Sequence, residues 1–225
     1  MAENQQTTKK KADLKVVLVG SADVGKTCFI TRYINDSFDA NTANTIGASF
    51  FLKQWGPYNV AIWDTAGEER FAGLSTFYCR DAGAAIMAYQ ISDRHSFEEL
   101  RSRFLSLLPE SNCLKMVVGT KLDLVVSGEE KRAVHPQEAR QFSVDINSEL
   151  LSQSGNVSIP FFETSSKTGE GVAETFESIF EKCLSTLSDH YRIKKLRDSI
   201  QLHDEVSNDS PIPPKTETRP KKSCC

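Results

Sequence analysis

Gly20-Ser21-Ala22-Asp23-Val24-Gly25-Lys26-Thr27 sets a loop bounded by two glycines directly before a lysine and a hydroxyl. It fits G-x-x-x-x-G-K-[ST], a pattern whose chemistry is phosphate binding. Successive backbone N–H groups of such a loop wrap anionic oxygens, and glycine lets the backbone come close. A helix starting at the lysine adds the partial positive charge of its N-terminus. Ala22, Asp23, Val24, Gly25 and Cys28 are therefore expected around the phosphates. Lys26 should reach the β- and γ-phosphates, and Thr27 should offer its hydroxyl to Mg²⁺. Alone, this loop implies only a nucleoside triphosphate.

Two further groups narrow the ligand. Asp64 ends the apolar run Val60-Ala61-Ile62-Trp63 and opens Asp64-Thr65-Ala66-Gly67-Glu68-Glu69. An acid at that place faces the metal of a phosphate site, and Gly67 can turn a backbone N–H toward a γ-phosphate. Asp123 closes Gly119-Thr120-Lys121-Leu122-Asp123. A carboxylate only accepts hydrogen bonds. Guanine offers N1–H and N2–H₂ side by side, and adenine has no such pair of donors. Lys121 can lie along the base. In Glu163-Thr164-Ser165-Ser166-Lys167 a backbone N–H can serve the guanine O6.

These residues need a scaffold that brings strand ends together. Leu14–Gly20 reads as a buried strand and Thr27–Ile34 as a helix. Asp36–Thr45 is a polar loop, and Ala48–Gln54 with Tyr58–Trp63 forms a hairpin around Trp55-Gly56-Pro57. Ala84–Tyr89, Leu114–Gly119 and Ile159–Glu163 supply three more strands. Phe97, Leu100, Phe104, Leu107 and Leu108 recur at helical spacing before Pro109. Pro136 opens a helix with the stripe Ala139, Phe142, Ile146 and Leu150. Val172, Phe176, Ile179, Phe180, Cys183 and Leu187 mark the last one. Strands alternating with helices predict an α/β fold: a mostly parallel six-stranded sheet, one antiparallel edge strand, and helices on both faces. Ligands of such sheets bind beyond the carboxyl ends of the strands, where every motif above falls.

The chain has 225 residues, 39% hydrophobic and 25% charged, with a net charge of −3. This predicts one globular domain, residues 14–187, between a disordered start, 1–13, and a flexible tail, 188–225. A weakly acidic balance argues against nucleic acid as a partner. No apolar h-region follows Lys9-Lys10-Lys11, and no run approaches membrane-spanning length. Cys28, Cys79, Cys113 and Cys183 lack metal-site spacing.

Gly20–Thr27, Thr45-Ile46-Gly47, Trp63–Gly67, Thr120–Asp123 and Thr164–Lys167 together resemble the Ras-like small GTPases, and the Rab branch in particular, over residues 14 to about 187. The resemblance implies a P-loop NTPase fold, bound GTP or GDP with Mg²⁺, and slow GTP hydrolysis. It implies that Thr45 closes over Mg²⁺ and the γ-phosphate, and that Phe38 lies against the guanine edge. Phe50, Trp63 and Tyr78 look like the aromatic triad that meets effectors; ordinary packing is the plain alternative. Phe77-Tyr78-Cys79-Arg80 and the short hairpin look like the Rab subtype called twenty. Family partners are an exchange factor, a GTPase-activating protein, a prenylation escort and a GDP-dissociation inhibitor, acting on a monomer. The implied setting is vesicle traffic on the cytoplasmic face of endosome, phagosome or Golgi membranes, with a soluble cytosolic pool.

Four positions depart from the family pattern. Glu68 stands where a Gln orients the attacking water, Ala22 where Ras proteins have Gly, Thr120 for Asn, and Ser166 for Ala. An ionised Glu cannot donate an N–H and carries the charge of the phosphate it faces. Slowed hydrolysis is expected, and with it an alternative: a mostly GTP-loaded binding module. A P-loop kinase or ATPase is a further reading, disfavoured by Asp123. Finally, Cys224-Cys225 after Arg219, Lys221 and Lys222 resembles the doubly geranylgeranylated ending of Rab proteins, a two-chain membrane anchor.

Overall fold

The computed structural model describes residues 12–67, 77–154 and 161–184. Glu68, the start of the strand expected from Ile159, and the tail with Cys224 and Cys225 lie outside the described residues.

Six strands form one sheet: β1 (Leu14–Val19), β2 (Ala48–Trp55), β3 (Tyr58–Thr65), β4 (Ala84–Gln90), β5 (Leu114–Thr120) and β6 (Phe162–Glu163). Their order is β2-β3-β1-β4-β5-β6. Only β2 and β3 run antiparallel. β1 is apolar at nearly every position because both faces are covered. Its alternate residues part company: Val16 and Leu18 join Phe29, Phe176 and Phe180 on one side, Val17 and Val19 join Phe97, Phe104 and Phe142 on the other. Helices α1 (Lys26–Asn35) and α6 (172–184) therefore cover one face. α2 (Arg94–Glu99) and α4 (Pro136–Asp145) cover the opposite face. The expected architecture is found. No helix among the described residues is long and apolar enough to cross a membrane.

Three details differ from the expectation. The stripe from Phe97 to Leu108 is not one α-helix. After α2 the chain widens into a π-turn, Leu100–Phe104, closed by Leu105 N–H on Leu100 O, and then tightens to a 3-10 turn, Leu105–Leu107. Leu108 is extended, as Pro109 demands of its predecessor. The stripe from Ala139 to Leu150 breaks into α4 and α5 (Ser148–Ser154). The break is held by Asn147, whose amide bonds both Lys115 N–H (2.9 Å) and Lys115 O (2.7 Å) on β5. A short helix α3 (Leu122–Val126) follows β5, where only a motif was read.

The hairpin tip is tied to the last helix. Glu177 on α6 accepts Trp55 Nε1–H at 2.5 Å and the Tyr33 hydroxyl at 3.3 Å. Tyr33 stacks on Phe176 at 4.0 Å between ring centroids, and Trp55 meets Phe180 edge-on at 5.8 Å.

Candidate guanine-nucleotide site

The loop between β1 and α1 is shaped by backbone no larger residue would allow. Gly20 has φ 147°, and a Cβ there would lie 2.2 Å from Ala88 O on β4. Val24 is buried and pins the loop to the sheet. Gly67, arriving from β3, packs so closely that its own Cβ would lie 2.3 Å from Ala22 N and 2.4 Å from Ser21 C. The two phosphate-facing segments are thus in backbone contact.

Lys26 is buried and donates to Gly20 O (2.8 Å) and Ser21 O (2.7 Å). Burial pushes its ammonium down to about 8, with Asp64 and Asp23 pulling the other way. A desolvated cation held on two carbonyls of a glycine-bounded loop is a place for anionic oxygen. Thr27 Oγ1 donates to Asp64 Oδ2 at 2.6 Å and lies 2.7 Å from Thr45 Oγ1, which is 3.0 Å from the same carboxylate oxygen. Burial raises the Asp64 carboxyl, while Thr27, Lys26 and Thr45 act against it. Its second oxygen, Oδ1, is buried without a hydrogen-bond partner. Two hydroxyls and one carboxylate oxygen are hard ligands that suit Mg²⁺, which takes few protein ligands and completes its shell with phosphate and water.

At the other end of the cleft stand Thr120, Lys121 and Asp123. Thr120 Oγ1 lies 2.6 Å from Val24 O and 2.9 Å from Tyr89 O, so this hydroxyl joins the base motif to the phosphate loop. Lys121 adopts φ 58° at the start of α3, a left-handed conformation rare outside glycine. Asp123 Oδ1 accepts the Ser165 hydroxyl at 2.6 Å.

These groups converge on one cleft of about 460 Å³. Its walls hold Ala22 to Cys28, Phe38, Thr45, Gly67, Thr120, Lys121, Asp123, Ser166 and Lys167. Asp64, bonded to Thr27 and Thr45, does not line the cleft itself, and neither does Ser165. Ser165 is fully buried, its N–H goes to Glu170 O (3.0 Å), and its hydroxyl goes to Asp123. Its place is behind the Asp123 carboxylate rather than on the wall of the cleft. Ala40, Thr42, Ala43, Asn44, Thr65 and Leu124 also line the cleft and were missed. The loop's Ala, Thr and Asn residues carried no motif, and Thr65 was read only as part of the Asp64 run. Outside the cleft, Phe50 is 53% exposed, so it is no core residue. It meets Trp63 at 5.1 Å, which meets Tyr78 at 5.5 Å.

Residues 15–185 match the Ras family. Ras-related protein Rab-20 of Homo sapiens is 37% identical over 202 residues, 76% of this chain and 85% of the relative. Ras-like GTP-binding protein RYL2 of Yarrowia lipolytica is 36% identical over 224 residues, 95% of this chain and 98% of the relative. Ras-related protein Rab-24 of Dictyostelium discoideum is 40% identical over 179 residues, 77% and 82% of the two chains. The likeness to subtype twenty expected from the sequence thus recurs among the relatives. Ras and Rab proteins bind GTP or GDP with Mg²⁺ and hydrolyse GTP. With that cleft and these relatives, the chain belongs to the Rab branch of the Ras family of small GTPases, and it is a GTP-hydrolysing switch.

Proposed function

We propose that this protein recruits effectors to intracellular membranes in its GTP form and hydrolyses GTP slowly. The observation that carries this is the single cleft joining the phosphate loop, the Thr27–Thr45–Asp64 cluster and Asp123. Gly67 and the P-loop backbone grip the phosphates, Lys26 neutralises their charge, and Asp123 selects the base. Thr27, Thr45 and Asp64 would hold Mg²⁺, which would supply positive charge against the phosphate oxygens. Thr45 and Gly67 flank β2 and β3, so ordering them sets the face carrying Phe50, Trp63 and Tyr78. That aromatic face is where an effector docks.

Excess chelator is expected to speed GDP release at least roughly tenfold, since a lost hydrogen bond or ion contact to charge is worth about 1.5 kcal/mol or more. Release from a fluorescent-GDP complex that ignores the chelator would remove the cation from this reading.

Glu68 follows Gly67 in the sequence, at the position of the family's water-orienting Gln, and an ionised Glu has no N–H to give. Glu68→Gln is expected to raise single-turnover hydrolysis by roughly tenfold, a change of ~1.4 kcal/mol in the barrier. If wild type is equal or faster, Glu68 does not slow the reaction. The same residue supports a second reading, a GTP-loaded binding module with little turnover. Chromatography of the nucleotide released from freshly purified protein separates the two: GDP marks a cycling switch, GTP the loaded module.

Cys224 and Cys225 carry two geranylgeranyl chains, and Arg219, Lys221 and Lys222 add roughly 1 kcal/mol each on an anionic leaflet. Prenylation escort and GDP-dissociation inhibitor then govern a membrane and a cytosolic pool, while exchange and GTPase-activating proteins drive the cycle. The protein acts as a monomer on endosomal, phagosomal or Golgi membranes. In cells, replacing both cysteines by serine should move the protein from the membrane pellet to the soluble fraction; an unchanged pellet refutes the anchor.

A further inference from the structure

Arg32 lies on α1, outside the cleft, with its side chain 17% exposed. Its guanidinium makes three bonds to backbone carbonyls. Nε donates to Ser166 O at 2.7 Å, Nη2 to Lys167 O at 2.9 Å, and Nη1 to Asp36 O at 3.0 Å. Its ion pair with Asp36 adds little, because the Asp36 carboxylate is 94% exposed. The carbonyl bonds are what the planar fork of an arginine is built to make.

These bonds have a consequence on the far side of each peptide. In a trans peptide the C=O and the next N–H point in opposite directions, and no described peptide is cis. With Lys167 O turned onto Arg32, Thr168 N–H turns away from it and donates to Ser165 Oγ at 3.1 Å. That bond takes one lone pair of the Ser165 hydroxyl, whose single proton goes to Asp123 Oδ1 at 2.6 Å. The sequence of contacts runs from Arg32 through one peptide and one hydroxyl to the base-reading carboxylate.

The geometry points to Arg32 as a positioning residue for guanine selectivity, acting on Asp123 through Ser165. The inference rests on the reading of the cleft as a guanine site and deepens it. It also gives α1 a second hold, since Arg32 meets Asp36 O two residues before Phe38, a lining residue of the same cleft.

The test compares GDP with inosine diphosphate, which keeps N1–H and O6 but lacks the exocyclic amino group that Asp123 reads. Affinities are measured for wild type, Arg32→Ala, Arg32→Lys, Ser165→Ala and the Arg32→Ala/Ser165→Ala pair. Wild type should prefer GDP by roughly tenfold or more, the worth of one hydrogen bond to a charged acceptor. Arg32→Ala should lose most of that preference, and Arg32→Lys should regain part of it. Ser165→Ala should match Arg32→Ala, and the pair should lose no more than either alone, as members of one relay do. A merely structural role would weaken both nucleotides equally and leave the ratio intact. An unchanged ratio in Arg32→Ala, or losses that add in the pair, overturns the relay. A wild type that does not discriminate takes down the guanine reading itself, and the two failures are told apart by that control. Should Arg32→Ala not fold, Ser165→Ala and Arg32→Lys carry the same comparison.

Discussion

Asp123→Asn is expected to weaken GTP binding by about two orders of magnitude and to turn the preference toward xanthosine triphosphate. A site built to hydrogen-bond a ligand pair rejects a mismatched partner strongly because buried polar groups are left facing like groups. Asp123 lines the cleft, and Ser165 holds its Oδ1 at 2.6 Å, so the carboxylate cannot swing aside to spare the base. A carboxamide in its place presents one N–H₂ to the two donors of guanine. Xanthine carries an oxygen where guanine carries the amino group, and that oxygen can take the new donor. Competition between GTP and xanthosine triphosphate for the variant reads the exchange directly. Equal GTP affinity in variant and wild type would show that Asp123 does not read the base.

Gly67→Ala should be the more selective injury. The added carbon would sit 2.3 Å from Ala22 N and 2.6 Å from Ser21 O, both backbone atoms that cannot rotate away. Relief requires the two segments to part by about an ångström, and a misplacement of that size near the chemistry costs roughly 10²-fold in rate. GTP hydrolysis measured in a single turnover should therefore fall by about that factor. GDP has no γ-phosphate for Gly67 to meet, so its affinity should change by less than about threefold, an effect under 1 kcal/mol. Equal losses for GDP binding and for hydrolysis would mean that the clash damages the whole loop, and the assignment of Gly67 to the γ-phosphate would go with it.

What could be read in advance follows from distance along the chain. Gly20–Thr27 and Thr120–Asp123 are contiguous, so their spacing alone carries their chemistry. The alternation of apolar strands and striped helices placed both ends of the cleft. The π-turn at Leu100–Phe104 escaped because a stripe with steps of three and four residues is the same for an α-helix and a slightly wider one. The break between α4 and α5 escaped because Asn147 bonds a strand 32 residues away. Ser165 and Arg32 show the same limit at the site. Motif position marked Ser165 but not its partners: its N–H goes to Glu170 O and its hydroxyl to Asp123. Arg32 carried no motif, and its partners lie 134 and 135 residues on.

The hold of Glu177 on Trp55 and Tyr33 has a mechanical meaning for the switch. β2 begins just after Thr45 and β3 ends just before Gly67, and eight register pairs join the two strands. Ala66 N–H on Gly47 O, at 2.9 Å, ties their open ends as well. β3 is also paired with β1 from Val60 to Asp64, and Thr65 Oγ1 donates to Leu18 O at 2.6 Å, so the hairpin is one stiff rail about 25 Å long at ~3.4 Å per residue, fixed to the sheet along β3 and to α6 at Trp55. Phe50 and Trp63 are a register pair on that rail, so a shift of one strand is carried to the other. A partner resting on that pair receives one combined coordinate, and it cannot consult Thr45 without also consulting Gly67.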